Sequence, residues 1–218
     1  NSIFWFKLWE NLYTAVYYFI HMYKKVNKIT GMHFKVLSLF TKGFENDFYI
    51  REVNHVLGIS PRTAQLILND LENKSVLESK LRGKIKTYKL KTTFIAKEYL
   101  ILTENYKKIR FFEKKVLIKQ VIEAILPLID GIVAIFGSYV KDLEKEGSDL
   151  DVFVVGSYKR QKIKDIANTY GIKINIKQYP LNIFMDNKKD VLIKEVVDNH
   201  ILVRGTEQFI DLTAIQKY

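Results

Sequence analysis

GIVAIFGSYVKDLEKEGSDLDVFVVG, residues 131–156, is the stretch that decides the fold of the carboxy-terminal half of the chain. Its first apolar run ends in Gly137 and Ser138, ten residues follow, and Asp149 and Asp151 open a second apolar run. Apolar runs of this length next to turn residues predict two buried strands. Residues two apart on a strand point to the same face, so both carboxylates are expected on one face while the leucine between them enters the core.

This spacing of Gly-Ser, ten residues and Asp-x-Asp resembles the signature of the DNA polymerase beta nucleotidyltransferase superfamily, especially its minimal prokaryotic members. The chain looks most similar to archaeal enzymes of this group that carry an amino-terminal winged helix. The resemblance continues through RQKIKDIANTYG (160–171), IKINIKQY (172–179) and VLIKEVVDNHILVRGTEQF (191–209), and it covers about residues 33–207. It implies an α+β chain in which helices join a winged helix-turn-helix to a small mixed-sheet α/β nucleotidyltransferase domain.

Under this resemblance, the turn after the first strand holds the phosphates of ATP or another nucleoside triphosphate. Gly137 lets the backbone turn closely past them, and Ser138 holds phosphate oxygens together with the backbone amides of a short helix expected to follow. Lys141 is a further candidate for contacting the triphosphate. Asp149 and Asp151 supply the anionic oxygens that Mg²⁺ or Mn²⁺ requires beside those phosphates.

The chain departs from this family at the third carboxylate that most active members place on the strand corresponding to residues 172–179. That carboxylate joins the metals and helps to deprotonate the attacking hydroxyl. The polar face of this strand instead carries Lys173, Asn175 and Lys177. Asn175 stands at the expected position, where its amide oxygen can ligate a cation but cannot accept a proton at neutral pH. The candidate catalytic residues are therefore Asp149, Asp151 and Asn175.

Residues 31–91 resemble a winged helix-turn-helix, in which one helix enters the DNA major groove and a basic hairpin contacts the backbone. Gly58 is expected to end one helix, Ser60 to cap the next, and Pro61 to occupy its first turn. The segment SVLESKLRGKIKTYKLK, residues 75–91, alternates apolar and basic residues and predicts a β-hairpin.

Double-stranded DNA is the partner that this resemblance implies. The alternatives are a protein partner, which many winged helices bind, and a lysine-rich strand face that only contacts solvent. The chain has a net charge of +11, and residues 31–111 carry 15 basic and 8 acidic residues, a net charge of +7. Concentration of positive charge in the winged helix favours phosphate binding there. The candidates for base contacts are Arg62, Thr63 and Gln65. The candidates for phosphate contacts are Lys80, Arg82, Lys84 and Lys86, followed by Lys89 and Lys91.

Composition excludes several classes of protein. The 218 residues are 48% hydrophobic and 27% charged, which suits a globular chain with a real core. Because the chain has no cysteine, disulfide scaffolds, thiolate zinc sites and cysteine nucleophiles are excluded, and a reducing cytoplasm is the expected location.

The amino-terminal segment predicts an amphipathic helix. Its apolar residues recur at helical spacing and are Leu8, Leu12, Val16, Phe19, Ile20 and Tyr23. Lys7, Glu10 and Asn11 interrupt the apolar run, so a membrane span is not expected. The helix is expected to pack on the rest of the protein or on a second copy, which would make a homodimer. Attachment to a membrane surface is the alternative.

These observations leave two functions open. One is a metal-dependent nucleotidyltransferase that moves a nucleoside monophosphate from a nucleoside triphosphate to an acceptor. The other is a DNA-binding regulator or antitoxin whose degenerate nucleotidyltransferase domain binds only a nucleotide or a protein partner such as a toxin. In either case we expect an amphipathic helix at residues 1–30, a winged helix domain at 31–93, a helical connector at 94–111 and a nucleotidyltransferase domain at 112–218.

Overall fold

The computed structural model describes residues 28–186 and 190–215, which form an α+β fold with two small sheets, as expected from the sequence. The helices of this part are α1 (Gly31–Phe40), α2 (Ile50–Leu57), α3 (Pro61–Asn73), α4 (Phe94–Lys114), α5 (Val116–Ile125), α6 (Arg160–Tyr170), α7 (Leu181–Asp186), α8 (Val191–Asp198) and α9 (Thr206–Ile210). The strands are β1 (Phe48–Tyr49), β2 (Leu77–Arg82), β3 (Ile85–Leu90), β4 (Ile129–Phe136), β5 (Leu150–Tyr158), β6 (Ile174–Tyr179) and β7 (Ile201–Arg204).

The predicted amino-terminal amphipathic helix lies outside the described residues. Within residues 28–186 and 190–215, no helix combines the length and the apolarity needed to cross a lipid bilayer.

The amino-terminal sheet is antiparallel and has the strand order β1-β3-β2. The predicted helix boundaries are confirmed, because Gly58 ends α2 in the left-handed conformation with φ 63° and Pro61 opens α3. Ser60 caps α3 by accepting a hydrogen bond from the backbone N–H of Thr63. Residues 83–84 connect β2 to β3, so the predicted hairpin is also present. Helices α1 to α3 pack with this sheet around buried side chains that include Val36, Leu37, Phe40, Val53, Leu68, Leu71 and Tyr88.

The carboxy-terminal sheet is mixed and has the order β6-β5-β4-β7. Strands β5 and β6 run parallel, whereas β4 pairs antiparallel with both β5 and β7. One face packs on α5 and α6 through Val133, Ile135, Leu150, Val152 and Val154. The opposite face, which includes Ala134 and Phe153, packs on α7, α8 and α9. The leucine between the two candidate aspartates is fully buried, as predicted, because it lies on the face under α5 and α6.

Two glycines set the register of β4 against β5. Gly131 lies opposite Gly156, and each backbone comes so close to the other strand that a Cβ has no room. A Cβ on Gly131 would lie 2.1 Å from the carbonyl oxygen of Val155, and a Cβ on Gly156 would lie 2.2 Å from that of Asp130. A slip of one residue would send every side chain of a strand to the wrong face, so this close approach helps to fix which residues face the core.

Helix α4 joins the two parts of the molecule. It continues without a break from Phe94 to Lys114, past residue 111 where the sequence placed the end of the connector. It packs on α1 at one side, and near its start Lys97 Nζ lies 2.8 Å from Glu207 Oε1 and 2.8 Å from Asp211 Oδ1. The helix therefore contacts both the first and the last described segments of the chain.

A buried ion cluster, formed by Glu104, Lys107 and His200, lies where these parts meet. Lys107 Nζ lies 2.8 Å from Glu104 Oε1 and donates a second hydrogen bond to Thr41 Oγ1 at the end of α1. His200 Nε2 lies 3.3 Å from Glu104 Oε2, and His200 Nδ1 lies 2.8 Å from the carbonyl oxygen of Val196. Burial by itself raises the pKa of the Glu104 carboxyl, but the adjacent Lys107 and His200 lower it to about 2.

Replacing Glu104 with Gln is expected to lower the free energy of unfolding by about 3–5 kcal/mol, because the Lys107 ammonium then lacks its buried counter-ion. The pKa of Glu104 is lower in the folded protein than its ordinary value of 4.5. Its stabilising contribution is therefore complete above about pH 4.5 and is lost as the pH falls towards about 2. Urea denaturation of both proteins across this pH range measures the difference.

Glu113→Gln is the matched control, because Glu113 lies on the same helix but is about half exposed and pairs with Arg110 in solvent. The control is expected to change the free energy of unfolding by less than about 1 kcal/mol. An equal loss in the two variants would contradict the role assigned to the buried ion cluster.

Candidate active site

The register of three strands brings the predicted site residues together at one end of the carboxy-terminal sheet. Phe136, the last residue of β4, lies opposite Asp151, so Gly137 follows directly beside the Asp151 carboxylate. A Cβ on Gly137 would lie only 2.5 Å from Asp151 Oδ2. On the other side of β5, Asp151 is in register with Asn175 of β6. Asp151 therefore contacts both Gly137 in the turn and Asn175 on β6, two of the residues that the sequence proposed for the site.

Each candidate aspartate has one partner from the polar face of β6 or the residue before it. Asn175 Nδ2 donates a hydrogen bond of 2.8 Å to Asp151 Oδ1. Lys173 Nζ lies 2.8 Å from Asp149 Oδ2, and its hydrogen bond to this carboxylate raises the pKa of Lys173. Lys173 is largely exposed, whereas the Asp149 side chain is about one-third exposed. These two carboxylates, one ammonium group and one amide together carry a net charge of −1.

The sequence contained a signal for the pair between Lys173 and Asp149, although Lys173 was not among the predicted site residues. Lys173 and Asn175 alternate with apolar residues, so both were expected on one face of the strand. The missing information was that β6 lies parallel to β5, with the amide of Leu150 donating a 2.8 Å hydrogen bond to the carbonyl of Lys173. That register places Lys173 beside Asp149.

The segment after Ser138 differs from the expectation. A short helix was predicted there, but residues 138–142 form successive turns. The amide of Lys141 donates hydrogen bonds to the carbonyls of Gly137, at 3.3 Å, and Ser138, at 3.2 Å. The amide of Leu143 also donates to the carbonyl of Ser138, at 3.0 Å, so the helical spacing of four residues is not repeated. Within the part of the chain that the structure describes, the amides of residues 138–140 donate no hydrogen bond. The first of these amides follows directly after Gly137, whose backbone lies beside the Asp151 carboxylate.

The Lys141 side chain already forms an ion pair within the protein. Its Nζ lies 2.7 Å from Glu195 Oε1 on α8, and both side chains are partly exposed. Lys115, at the start of α5, pairs with Glu144 of the same loop. These two ion pairs anchor the loop between β4 and β5 at both sides. Glu195 and Glu144 were not expected from the sequence, because nothing in their local pattern indicates these partners.

The donor set fits a single hard divalent cation. Among residues 28–186 and 190–215, no group of three or more His, Asp or Glu side chains could hold a metal ion. Asp149 and Asp151 nevertheless lie two apart on one strand, and carboxylate oxygens are the ligands that Mg²⁺ prefers. Mg²⁺ commonly takes one or two protein carboxylates and completes its octahedron with phosphate oxygens and water. Asn175 could add an amide oxygen after rotation about its last bond.

The residues predicted to contact bases lie near the exposed start of α3. Arg62 Nη1 donates a hydrogen bond of 3.3 Å to Gln65 Oε1, and both side chains contribute to the outer surface. Thr63 Oγ1 lies 2.8 Å from Ser60 Oγ, so its hydroxyl belongs to the helix cap. Leu66, 53% exposed on the same outer face, was not predicted as a surface residue.

Most of the basic side chains that were predicted to contact phosphates form ion pairs with acidic side chains of the protein. Asp47 Oδ2 lies 3.0 Å from both Lys80 and Arg82. Lys86 Nζ lies 2.6 Å from Glu72 Oε2, and this hydrogen bond raises the pKa of Lys86. Lys89 likewise pairs with Glu78 at 2.9 Å. Lys84, in the exposed turn of the hairpin, has no ion-pair partner among the described residues.

Gly137→Ala is expected to weaken metal-dependent nucleotide binding at least tenfold, because its Cβ would displace the Asp151 carboxylate. Gly147→Ala in the same loop is the matched control. Gly137 and Gly147 have similar φ angles, +76° and +79°, so both variants carry similar backbone strain, but no atom lies within 4 Å of a Cβ on Gly147. Calorimetric titration with ATP and Mg²⁺ measures the difference. Equal affinity in the two variants would contradict the proposed geometry.

The part of the chain that carries this site matches a known protein family. Residues 117–203 match the family model of the nucleotidyltransferase domain. No protein of curated function matches the sequence. The solved structure of TrmBL2, described as an archaeal chromatin protein with a novel mode of DNA binding, is 17% identical over 74% of this chain and 66% of that chain, with a TM-score of 0.23. That score is too low to show a shared fold. The family match places a nucleotidyltransferase domain in the carboxy-terminal part of the chain, over the sheet that carries Asp149 and Asp151.

Proposed function

We propose that this protein is a nucleotidyltransferase that uses Mg²⁺ or Mn²⁺ to transfer a nucleoside monophosphate from ATP or another nucleoside triphosphate to an acceptor hydroxyl. One observation carries the proposal. Asp149 and Asp151 share one face of β5 and lie beside the turn formed by Gly137 and Ser138, within the part of the chain that matches the nucleotidyltransferase model.

The turn supplies the phosphate-binding groups. The amides of residues 138–140 and the Ser138 hydroxyl can donate hydrogen bonds to phosphate oxygens, as backbone amides do in other phosphate-binding loops. Lys141 can exchange its ion pair with Glu195 for a phosphate, because exposed ion pairs are weakly held in water. The triphosphate would then lie between this turn and the two aspartates.

Asp149 and Asp151 hold the divalent cation, which neutralises phosphate charge when bound. In the transfer step the acceptor oxygen attacks the α-phosphorus, the bond to the β-phosphate oxygen breaks, and pyrophosphate leaves with the electron pair. Asn175 orients the Asp151 carboxylate through its 2.8 Å hydrogen bond. Because an amide cannot accept the acceptor's proton at neutral pH, that proton passes to water, and the reaction is slower than with a third carboxylate.

The pairing of both carboxylates favours a second candidate function. The Lys173 ammonium beside Asp149 reduces the negative charge that would attract divalent cations, and the Asn175 amide occupies one carboxylate oxygen of Asp151. A site of this kind suits nucleotide binding without transfer. The protein would then be a DNA-binding regulator or an antitoxin, with its carboxy-terminal domain sensing nucleotide or binding a protein such as a toxin.

Both candidate functions include binding to double-stranded DNA. We place it on the outer face of α3, with Arg62, Thr63 and Gln65 towards base edges, and on the hairpin, with its lysines towards phosphates. The pair between Lys86 and Glu72 is partly exposed on both sides, so phosphate can replace Glu72 as the partner of Lys86 at modest cost. The Asp47 carboxylate is largely buried and holds Lys80 and Arg82 more firmly. Lys84 needs no such exchange and is the first cation available to DNA.

Asn175→Asp is expected to raise the rate of nucleotidyl transfer by about 10²–10⁴-fold, because it supplies a positioned proton acceptor beside Asp151. Lys177→Asp is the matched control, since Lys177 lies two residues further along the same face, opposite Phe153. Incubation with labelled nucleoside triphosphate, Mg²⁺ or Mn²⁺ and cell extract measures transfer. The double variant Asp149→Asn, Asp151→Asn should lose metal-dependent ATP binding in calorimetry.

These measurements separate the two functions. Labelled product from the parent chain, increased in Asn175→Asp and absent from the double aspartate variant, supports the enzyme. Metal-dependent ATP binding without labelled product in either the parent or Asn175→Asp supports the nucleotide-binding regulator. ATP binding that is unchanged in the double aspartate variant contradicts both assignments of the site.

Reversing the charge of both Lys84 and Lys86 to Glu is expected to weaken binding to double-stranded DNA and to reduce its salt dependence. Loss of two phosphate contacts lowers the slope of log affinity against log salt by about 2. Lys119→Glu on α5 is the control, because Lys119 is exposed but lies away from the hairpin. Gel-shift titrations at several salt concentrations measure the slope. An unchanged titration for the double variant would contradict DNA binding by the hairpin.

A further inference from the structure

Strand β6 is the outer strand of the carboxy-terminal sheet, and its outer edge has no partner strand among the described residues. The amide of Leu150 donates to the carbonyl of Lys173, so this parallel pairing directs the backbone groups of Lys173 and of every second residue after it towards β5. The backbone N–H and C=O groups of Ile174 and Ile176 therefore point away from β5, towards the open edge. Groups of this kind can pair with a further strand.

A cavity of about 690 Å³ lies beside this edge, between β6 and α6. Both elements contribute to its apolar lining, which includes Ile163, Ala167, Ile172, Ile174 and Ile176. Ile163 and Ala167 are buried on α6, whereas Ile174 and Ile176 are only half-buried on β6. The open backbone groups of β6 thus adjoin apolar surface that a partner can cover.

The surface around this edge is strongly basic. Residues 157–179 carry six basic side chains and one acidic side chain, whereas residues 112–218 as a whole carry 16 basic and 15 acidic ones. Arg160 and Lys164, four residues apart on α6, both line the cavity. Lys177 is exposed on the opposite face of β6. Neither Lys164 nor Lys177 forms an ion pair within the part of the chain that the structure describes, so both are available to an acidic partner.

We propose that the open edge of β6 binds an extended segment of a partner protein in which apolar and acidic residues alternate. Successive side chains of a strand point to opposite faces of the sheet. The apolar side chains of the segment enter the cavity beside α6, and the acidic side chains lie on the face that carries Lys177. Arg160 and Lys164 attract the same segment from the α6 side. Backbone hydrogen bonds to Ile174 and Ile176 supply affinity, as in other cases of strand addition.

Two other occupants fit this edge less well. A second copy of the chain would bring two basic β6 edges together, and lysines on an edge strand oppose such pairing. Single-stranded nucleic acid would be attracted by the same charges, but it binds such surfaces by stacking bases on aromatic rings. The apolar side chains named above are aliphatic, and the guanidinium carbon of Arg160 already lies 6.0 Å from the ring centroid of Tyr158. The proposal does not depend on the proposed transferase or DNA-binding function.

A labelled eight-residue peptide that alternates valine and glutamate is the probe, and fluorescence anisotropy measures its binding to the full chain. We expect Lys164→Glu combined with Lys177→Glu to weaken binding about tenfold or more, because two attractive charge contacts become repulsive. Lys35→Glu combined with Lys114→Glu is the matched control, since both lysines are exposed, lie on α1 and α4, and change the net charge equally. A peptide that alternates valine and lysine should not bind. Circular dichroism verifies that the substituted chains keep the structure of the parent.

Methylation of the peptide backbone tests the strand pairing separately. In a bound strand, one set of alternate amides faces β6 and the other set faces solvent. Two versions of the probe are therefore made, each N-methylated at one set of alternate amides. We expect one version to lose binding and the other to keep it. Loss of binding in both versions, or in neither, would contradict pairing at the edge of β6.

Equal binding of the acidic probe by the parent, the double lysine variant and the matched control would overturn the proposal, as would failure of the probe to bind the parent. A parent dimer that Ile176→Lys disperses, without binding of the probe, would assign the edge to a second copy instead. Binding of a single-stranded oligonucleotide that is lost in the double lysine variant, again without binding of the probe, would assign it to nucleic acid.

Discussion

The pairing of β4 with β5 is the constraint on which the rest of the carboxy-terminal structure depends. Gly131 opposite Gly156 allows the two backbones to approach closely at one end, and Phe136 opposite Asp151 follows from that register at the other end. The same alternation sends Leu150 under α5 and α6 and keeps Asp151 beside the turn at Gly137. A slip by one residue would bury the carboxylate and expose the leucine, at the cost of an unpaired buried charge.

Many basic side chains of this protein have an acidic partner nearby, which the net charge of +11 does not reveal. Asp47 forms ion pairs with both Lys80 and Arg82, and Glu72 forms one with Lys86. Much of the positive charge of the hairpin is therefore already balanced. The same principle operates at the candidate active site, where Lys173 neutralises Asp149. At the proposed sites, nucleic acid and metal ions would compete with these internal partners, and the affinity for either would depend on how weakly each pair is held.

Helix α4 and the buried ion cluster connect the part of the chain proposed to bind DNA with the part proposed to bind nucleotide. Lys107 contacts the end of α1, while Glu104 on the same helix faces His200 before β7. Removing one member of such a buried cluster costs more than removing an exposed pair, because the remaining charge cannot reach water. The two parts are thereby held together by interactions that link residues distant in the sequence.

The sequence alone determined the features that depend on neighbouring residues. Local propensity predicted the cap at Ser60, Pro61 in the first turn of α3 and the helix end at Gly58. Repeats of two or 3.6 residues in the hydrophobic pattern predicted the hairpin around residues 83–84 and the strands beside Asp149 and Asp151. Tertiary structure decided the remainder. Three features depend on which strand or helix lies alongside: the turns at residues 138–142, the ion-pair partners of Lys173 and Lys141, and the burial of Glu104. That choice is set by packing and register between segments far apart in the chain, and no local pattern encodes it.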